Sequence, residues 1–205
     1  MIELRALGAL LSYPSPELRS ALQEIAGVLD ASRLIPAACR GELHTLIDML
    51  AEDELLAAQE RYVALFDWGR GTCLNLFEHL HGESRDRGTA MVELKRLYER
   101  AGFELATAEL PDYLPVVLEY LSCRDLAEAR ALLGDCAHLL RRIAMALVAR
   151  RSPYAAVLQT LLAIAGERPV DPAAVPPREG PDEAALDRDW HERPAFDGEP
   201  LAGRG

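Results

Sequence analysis

D-L-A-E-A-R-A-L-L-G-D-C-A-H-L-L-R-R-I-A-M-A-L-V-A-R, running from Asp125 to Arg150, decides the fold class. Leu126, Leu132, Leu133, Leu139, Leu140, Ile143 and Leu147 recur along it at the spacing of one face of an α-helix, and no strand-like alternation interrupts them. Gly134 is the expected break between two helices. The same period extends outward in both directions. Upstream, Leu110-Pro111-Asp112-Tyr113-Leu114-Pro115 opens a helix whose prolines sit where first-turn amides lack partners, with Leu114, Val117, Leu118 and Leu121 as its buried stripe. Downstream, Ser152-Pro153 signals a cap and a first-turn proline before Val157, Leu158, Leu161 and Leu162, and Gly166 ends that run.

Toward the N-terminus the reading continues. Met91, Leu94 and Leu97 face inward on a helix expected from Ser84 to Ala101, and a short helix is expected from Thr72 to about His81. Asp53 is read as the cap of a helix carrying Leu55, Leu56, Gln59, Tyr62, Val63 and Phe66, which breaks at Asp67-Trp68-Gly69-Arg70-Gly71. A helix from near Pro36 carries Leu43, Leu46, Ile47 and Leu50. Another follows Ser15-Pro16, and the first carries Leu4, Leu7, Leu10 and Leu11. With no period of 20 to 50 residues, the chain reads as all-α: one bundle of about eight to ten helices over residues 1–166.

After Gly166 the composition shifts. Seven of the thirteen prolines and ten acidic against five basic residues fall in the last forty positions, so residues 167–205 read as a mostly disordered acidic Pro/Gly-rich tail. Within it, residues 184–196 carry Leu186, Trp190 and Phe196 as a docking segment. The net charge of −11 and the absence of a basic stripe argue against nucleic acid. Four scattered cysteines fit reduced thiols, and neither a signal peptide nor a run of about 18 apolar residues is present. A cytoplasmic protein with no direct membrane insertion is expected.

The densest chemistry lies in N-L-F-E-H-L-H-G-E-S-R-D-R-G-T-A-M, Asn75 to Met91. Glu78, His79, His81 and Glu83 carry metal-ligand atoms, but His79 and His81 point about 200° apart on one helix, and there is no H-E-x-x-H. Ser84 has His81 and Asp86 near it in sequence, yet a catalytic triad is a spatial arrangement, and no nucleophile elbow, P-loop or dinucleotide fingerprint accompanies it. As a structural corner, Ser84 caps the helix it precedes while Glu83, Arg85, Asp86 and Arg87 pair locally. As a peptide groove, the mixed charge lies beside the aromatics Tyr62, Phe66, Phe77 and Tyr113, taken as exposed, and receives an amphipathic helix.

L-F-E-H-L-H-G-E-S-R-D-R-G-T-A-M (Leu76–Met91), with L-L-S-Y-P (Leu10–Pro14), Y-V-A-L-F-D (Tyr62–Asp67) and L-P-D-Y-L-P-V-V-L-E-Y-L (Leu110–Leu121), resembles the NarJ-type chaperones of respiratory nitrate reductase. The tail resembles them only through A-L-D-x-x-W (Ala185–Trp190). The resemblance implies an all-α chaperone, not an enzyme and without a bound cofactor. It binds the immature catalytic (alpha) subunit of nitrate reductase, including its N-terminal peptide, supports molybdenum cofactor insertion and delays membrane docking. On the family-like motifs the expected peptide-binding residues are Tyr62, Phe66, Phe77, His79, His81, Glu83, Arg85, Asp86, Tyr113 and Glu119, with no catalytic and no metal residues. The alternative is a cofactor-handling protein that itself binds a molybdopterin nucleotide or a metal, with Gly69-Arg70-Gly71 and Arg85/Arg87 against phosphate.

Overall fold

The computed structural model describes residues 1–69, 71–81, 85–105 and 109–176, and for residues 81, 85 and 86 the backbone alone. Among these residues there are ten α-helices: α1 (Ile2–Leu10), α2 (Pro16–Ala31), α3 (Ala37–Glu52), α4 (Leu55–Tyr62), α5 (Glu78–His81), α6 (Arg85–Arg100), α7 (Leu114–Ser122), α8 (Leu126–Asp135), α9 (Ala137–Ala149) and α10 (Ala155–Ala165). The fold is all-α, as the periodicity predicts. Of the expected tail, residues 177–205, including 184–196 and its Ala185–Trp190 motif, lie outside the described residues.

The centre of the bundle is α10, which packs against α9, α8 and α3. Every residue from Ala156 to Leu162 is buried, which suits a helix with almost no polar face. Its two buried polar side chains are satisfied. The Thr160 hydroxyl donates to the Ala156 carbonyl at 2.8 Å, and the Gln159 amide pairs with both backbone groups of Val170. At the other side α1 lies along α7 with Leu4, Leu7, Leu10 and Leu11 fully buried. Gly8 permits that approach: a Cβ there would sit 3.3 Å from Leu118 Cβ and 3.3 Å from the Pro115 carbonyl.

The caps follow local chemistry. Ser15 Oγ accepts from Leu18 N–H at 3.2 Å with Pro16 in the first turn of α2, and Asp125 accepts from Glu128 N–H at 2.8 Å to start α8. Gly166 ends α10 in the left-handed conformation at φ 85°. Three boundaries differ from the sequence reading. Asp53 does not cap α4; it follows α3 and pairs with Arg61, leaving Glu54 at the helix start. The long helical run breaks at Cys136 rather than Gly134. The segment from Thr72 to Phe77 is not helical, because its backbone is bonded across to residues 112–114.

Candidate functional site

Residues 74–77 and 112–114 run beside each other as a short two-segment partition. Asn75 and Tyr113 form an antiparallel bridge, the only isolated one among the described residues. Leu114 N–H donates to the Leu74 carbonyl at 2.9 Å and Leu76 N–H to the Asp112 carbonyl at 3.1 Å. The Asp112 carboxylate then accepts Phe77 N–H through Oδ2 at 2.9 Å. These bonds use the amides that a helix from Thr72 would need, so helix formation waits until Glu78.

Tyr113 continues the connection. Its hydroxyl lies 2.7 Å from that of Tyr62, and the Tyr62 hydroxyl donates to the Leu11 carbonyl at 2.8 Å. Since a carbonyl only accepts, the one Tyr62 proton is committed there and Tyr113 is the donor between the two phenols. The Gln59 side-chain amide adds a bond to the Pro14 carbonyl at 2.9 Å. Leu10–Pro14, Tyr62–Asp67, Leu110–Leu121 and the first residues of Leu76–Met91 thus meet around one node.

Around that node the aromatics cluster. Tyr62, 4% exposed, and Phe66, 3% exposed, are core residues, not the exposed aromatics expected of a groove. Phe66 packs 4.7 Å from Tyr62 and 5.1 Å from Tyr154, ring centre to ring centre, and Tyr13 meets the edge of Tyr62 at 5.6 Å. Their burial has a local cause. Val63–Asp67 is a π-helical turn closed by Trp68 N–H on the Val63 carbonyl at 3.2 Å, which keeps Phe66 inward and leaves Trp68 70% exposed. Gly69 then passes so close to that turn that a Cβ on it would lie 2.5 Å from the Leu65 carbonyl. Its role is close backbone approach.

Two joined clefts open beside the node. A cleft of about 640 Å³ runs between α1, residues 103–105 and α7, lined by Arg5, Tyr13, Phe103, Glu104, Glu109, Tyr113, Val116 and Glu119 among others. A smaller one of about 290 Å³ shares Tyr13, Glu109 and Tyr113 with it and reaches Tyr62, Phe66, Asp67 and Cys73. Their charged lining is Glu104, Glu109, Glu119 and Asp67 against the single cation Arg5. The combined groove is therefore apolar in its floor and acidic at its rim.

Of the expected peptide-binding residues, Tyr62, Phe66, Tyr113 and Glu119 line this groove. Phe77 is half-buried and lines a different cavity, on the far side of the 74–77 segment. His79 is half-buried with its Nε2–H donating to the Cys73 carbonyl at 2.8 Å. Glu83 lies outside the described residues, as do the side chains of His81, Arg85 and Asp86. Tyr13, Glu104 and Glu109 were not singled out from the sequence. Tyr13 stood inside the quoted L-L-S-Y-P stretch, and the two glutamates carry no motif.

Cys73 and Asp112 are the perturbed acids of the region. Burial, reinforced by its hydrogen bond to Glu78 Oε2 at 2.9 Å, pushes the Cys73 thiol up to about 12, so it is a protonated donor and no nucleophile. Burial also raises the Asp112 carboxyl above the ordinary carboxylate range, against the Phe77 amide and the Arg87 charge. Among the described residues no three His, Cys, Asp or Glu side chains converge as metal ligands, and no helix is long and apolar enough to cross a membrane.

Known proteins are similar to this chain in sequence and in fold. The family model for the nitrate reductase delta subunit matches residues 32–159. The nitrate reductase molybdenum cofactor assembly chaperone NarJ of Escherichia coli K12 is 43% identical over 165 residues, 80% of this chain and 70% of that protein. A NarJ protein of Bacillus subtilis is 34% identical over 164 residues, 79% of this chain and 87% of that one. A crystal structure described as a redox enzyme maturation protein from Archaeoglobus fulgidus aligns over 78% of this chain and 91% of its own at TM-score 0.57 and 21% identity, a likeness of fold. With the family model matching residues 32–159 and these relatives matching about four fifths of its length, this chain belongs to the family of NarJ-type molybdenum cofactor assembly chaperones.

Proposed function

We propose that the chain is an assembly chaperone for respiratory nitrate reductase that holds the N-terminal segment of the catalytic subunit in the Tyr13–Tyr113–Glu119 groove. The observation that carries this is the pairing of buried apolar lining residues with exposed carboxylates in two adjoining clefts. Such a surface suits an amphipathic helix with basic flanks: apolar contacts give affinity, and the carboxylates set register and encounter rate. His79 extends the contact beyond the groove and Phe77 contributes from behind the partition, while His81, Glu83, Arg85 and Asp86 are proposed as contacts on the family-like motif alone. Tyr62 and Phe66 act from beneath, by holding Tyr113 and the cleft wall in place. Binding the immature subunit in preference to the finished one raises the immature population, which keeps the subunit open to cofactor insertion and delays its docking to the membrane. No bond is made or broken by the chaperone.

Calorimetric titration of a synthetic N-terminal peptide of the catalytic subunit into the full chain tests the groove. Binding that weakens about tenfold in Glu119→Lys and in Glu104→Lys, both at exposed positions, is the expected result. Affinity unchanged in both folded variants overturns the assignment. In cells deprived of their own NarJ-type chaperone, expression of this chain is expected to restore the molybdenum content of nitrate reductase. Enzyme that stays molybdenum-free despite expression overturns the chaperone role itself.

A further inference from the structure

The two ends of the groove differ in charge. α1 and α7 run antiparallel beside the larger cleft: Gly8 lies against Pro115 and Leu118, while the Leu11 carbonyl meets the Tyr62 hydroxyl that pairs with Tyr113. Arg5 and Glu119 therefore sit toward one end. Tyr13 and Tyr113 sit toward the other, where the smaller cleft joins and continues to Asp67. At the first end a cation stands among the carboxylates. At the second, Asp67 and Glu109 are exposed carboxylates, and none of the described residues lining the smaller cleft is a cation. Burial pushes the Tyr113 phenol up, and the charges of Glu109 and Asp67 push it further, so both carboxylates bear on the same point. A helix also ends there. α4 runs on into the π-helical turn whose last residue is Asp67, which adds the negative end of a helix dipole to the carboxylates. The dipoles of antiparallel α1 and α7 offset each other, leaving that end unopposed.

We propose that the catalytic subunit's N-terminal segment lies along the groove with its first residue at the Asp67–Glu109 end, where the two carboxylates receive its α-ammonium, and with its later turns running toward Arg5. This rests on the groove reading above and adds to it a direction and a chemical group. A free α-amine is protonated below about pH 7.7. The N-terminus of a bound helix carries roughly +0.5 of dipole charge besides. Both charges favour the end without a cation, and the opposite partial charge at the helix C-terminus favours Arg5. The reversed helix would set its last carbonyls against Asp67 and Glu109 and its ammonium beside Arg5. The walls at the junction suit a cation as well. Tyr13 and Tyr113 line both clefts there, Tyr13 is 48% exposed, and an aromatic face attracts positive charge. A helix from the interior of a chain brings no ammonium, so this subsite tells a leading segment from any other amphipathic helix.

Calorimetry on the full chain with two forms of the synthetic N-terminal peptide, one with a free α-amine and one acetylated, tests the subsite at about pH 6.5, where the amine is charged. The free amine is expected to bind about three- to tenfold tighter, the range of an exposed ion pair together with a helix-end charge. Acetylation gives the peptide a further carbonyl to accept a first-turn amide and so favours its helix; a loss of affinity is therefore not a loss of helicity. In the double variant Asp67→Asn with Glu109→Gln, both at exposed positions, the preference disappears, whereas Glu119→Lys weakens both forms alike and keeps it. Methyl NMR reads the direction. A nitroxide on the peptide's first residue is expected to broaden the methyls of Leu74, in the smaller cleft, more than those of Leu4, beside Arg5; one on its last residue does the reverse. Equal affinity of the two forms, or the opposite pattern of broadening, overturns the proposal. Either result with a peptide that still binds and still depends on Glu119 keeps the groove and removes only the direction. A peptide without saturable binding removes both.

Discussion

At the scale of single residues, Tyr62 ties the groove wall to the fold. Tyr62→Phe strips the Leu11 carbonyl and the Tyr113 hydroxyl of their common partner inside the core, and is expected to cost about 1–3 kcal/mol, read as a lower urea midpoint. Asp112 supplies a pH dependence. Burial raises its folded-state carboxyl above the free value, so the folded chain holds that proton more tightly than the unfolded chain does. Stability from this group is therefore complete below the free carboxylate pKa and is lost as pH rises through the folded one. Asn at this position does not titrate, so wild type should gain on Asp112→Asn as pH falls from 7 toward 4; midpoints that move in parallel would refute this. The sequence pointed to Tyr62, Phe66 and Tyr113 as members of one site but could not say which was inside. A helical period gives the face of a residue, not the depth to which later segments cover it. The burial of Asp112 was invisible for the same reason, since the groups around its carboxylate come from Phe77 and from Arg87 on α6.

At the scale of elements, helix identity was legible and helix ends were not always so. Apolar spacing placed the long helices because each buries one stripe, whereas the expected helix from Thr72 lost its first residues to a cross-chain pairing with 112–114 that no local pattern announces. The π-helical turn at Val63–Asp67 was likewise silent: one extra residue in a turn leaves the apolar spacing nearly intact. Two glycines mark where elements come closest. Gly8→Val should force α1 and α7 apart and lower stability by about 1–3 kcal/mol. Gly69→Ala, with its Cβ driven at the Leu65 carbonyl, should cost about as much and, by disturbing the turn under Phe66, weaken peptide binding as well. Denaturant midpoints check both, and a Gly69→Ala chain as stable as wild type would show that the turn yields.

At the scale of the whole molecule, the change in composition after Gly166 is not where packing stops. Val170 is buried, its amide donates to Gln159 Oε1 at 2.7 Å and its carbonyl accepts from Gln159 Nε2 at 2.8 Å, while Arg141 meets Glu167 and the Arg168 carbonyl. A chain cut after Gly166 should thus be less stable by about 1–3 kcal/mol than one cut after Pro176, because it leaves a buried amide side chain unsatisfied. Equal midpoints for the two truncations would show that the clamp contributes nothing. The acidic rim has a consequence at this scale too. Peptide affinity should fall as salt is raised from 0.05 to 0.5 M, since exposed charges are screened; an affinity that does not move with salt would show that the carboxylates take no part.

The pairing of α1 with α7 also sets a timetable. A ribosome releases the chain from its N-terminus, so α1 emerges more than a hundred residues before the helix that covers it. At roughly 5–20 residues per second, Leu4, Leu7, Leu10 and Leu11 wait on the order of 5–20 seconds for α7. During that interval α2 is the partner within reach.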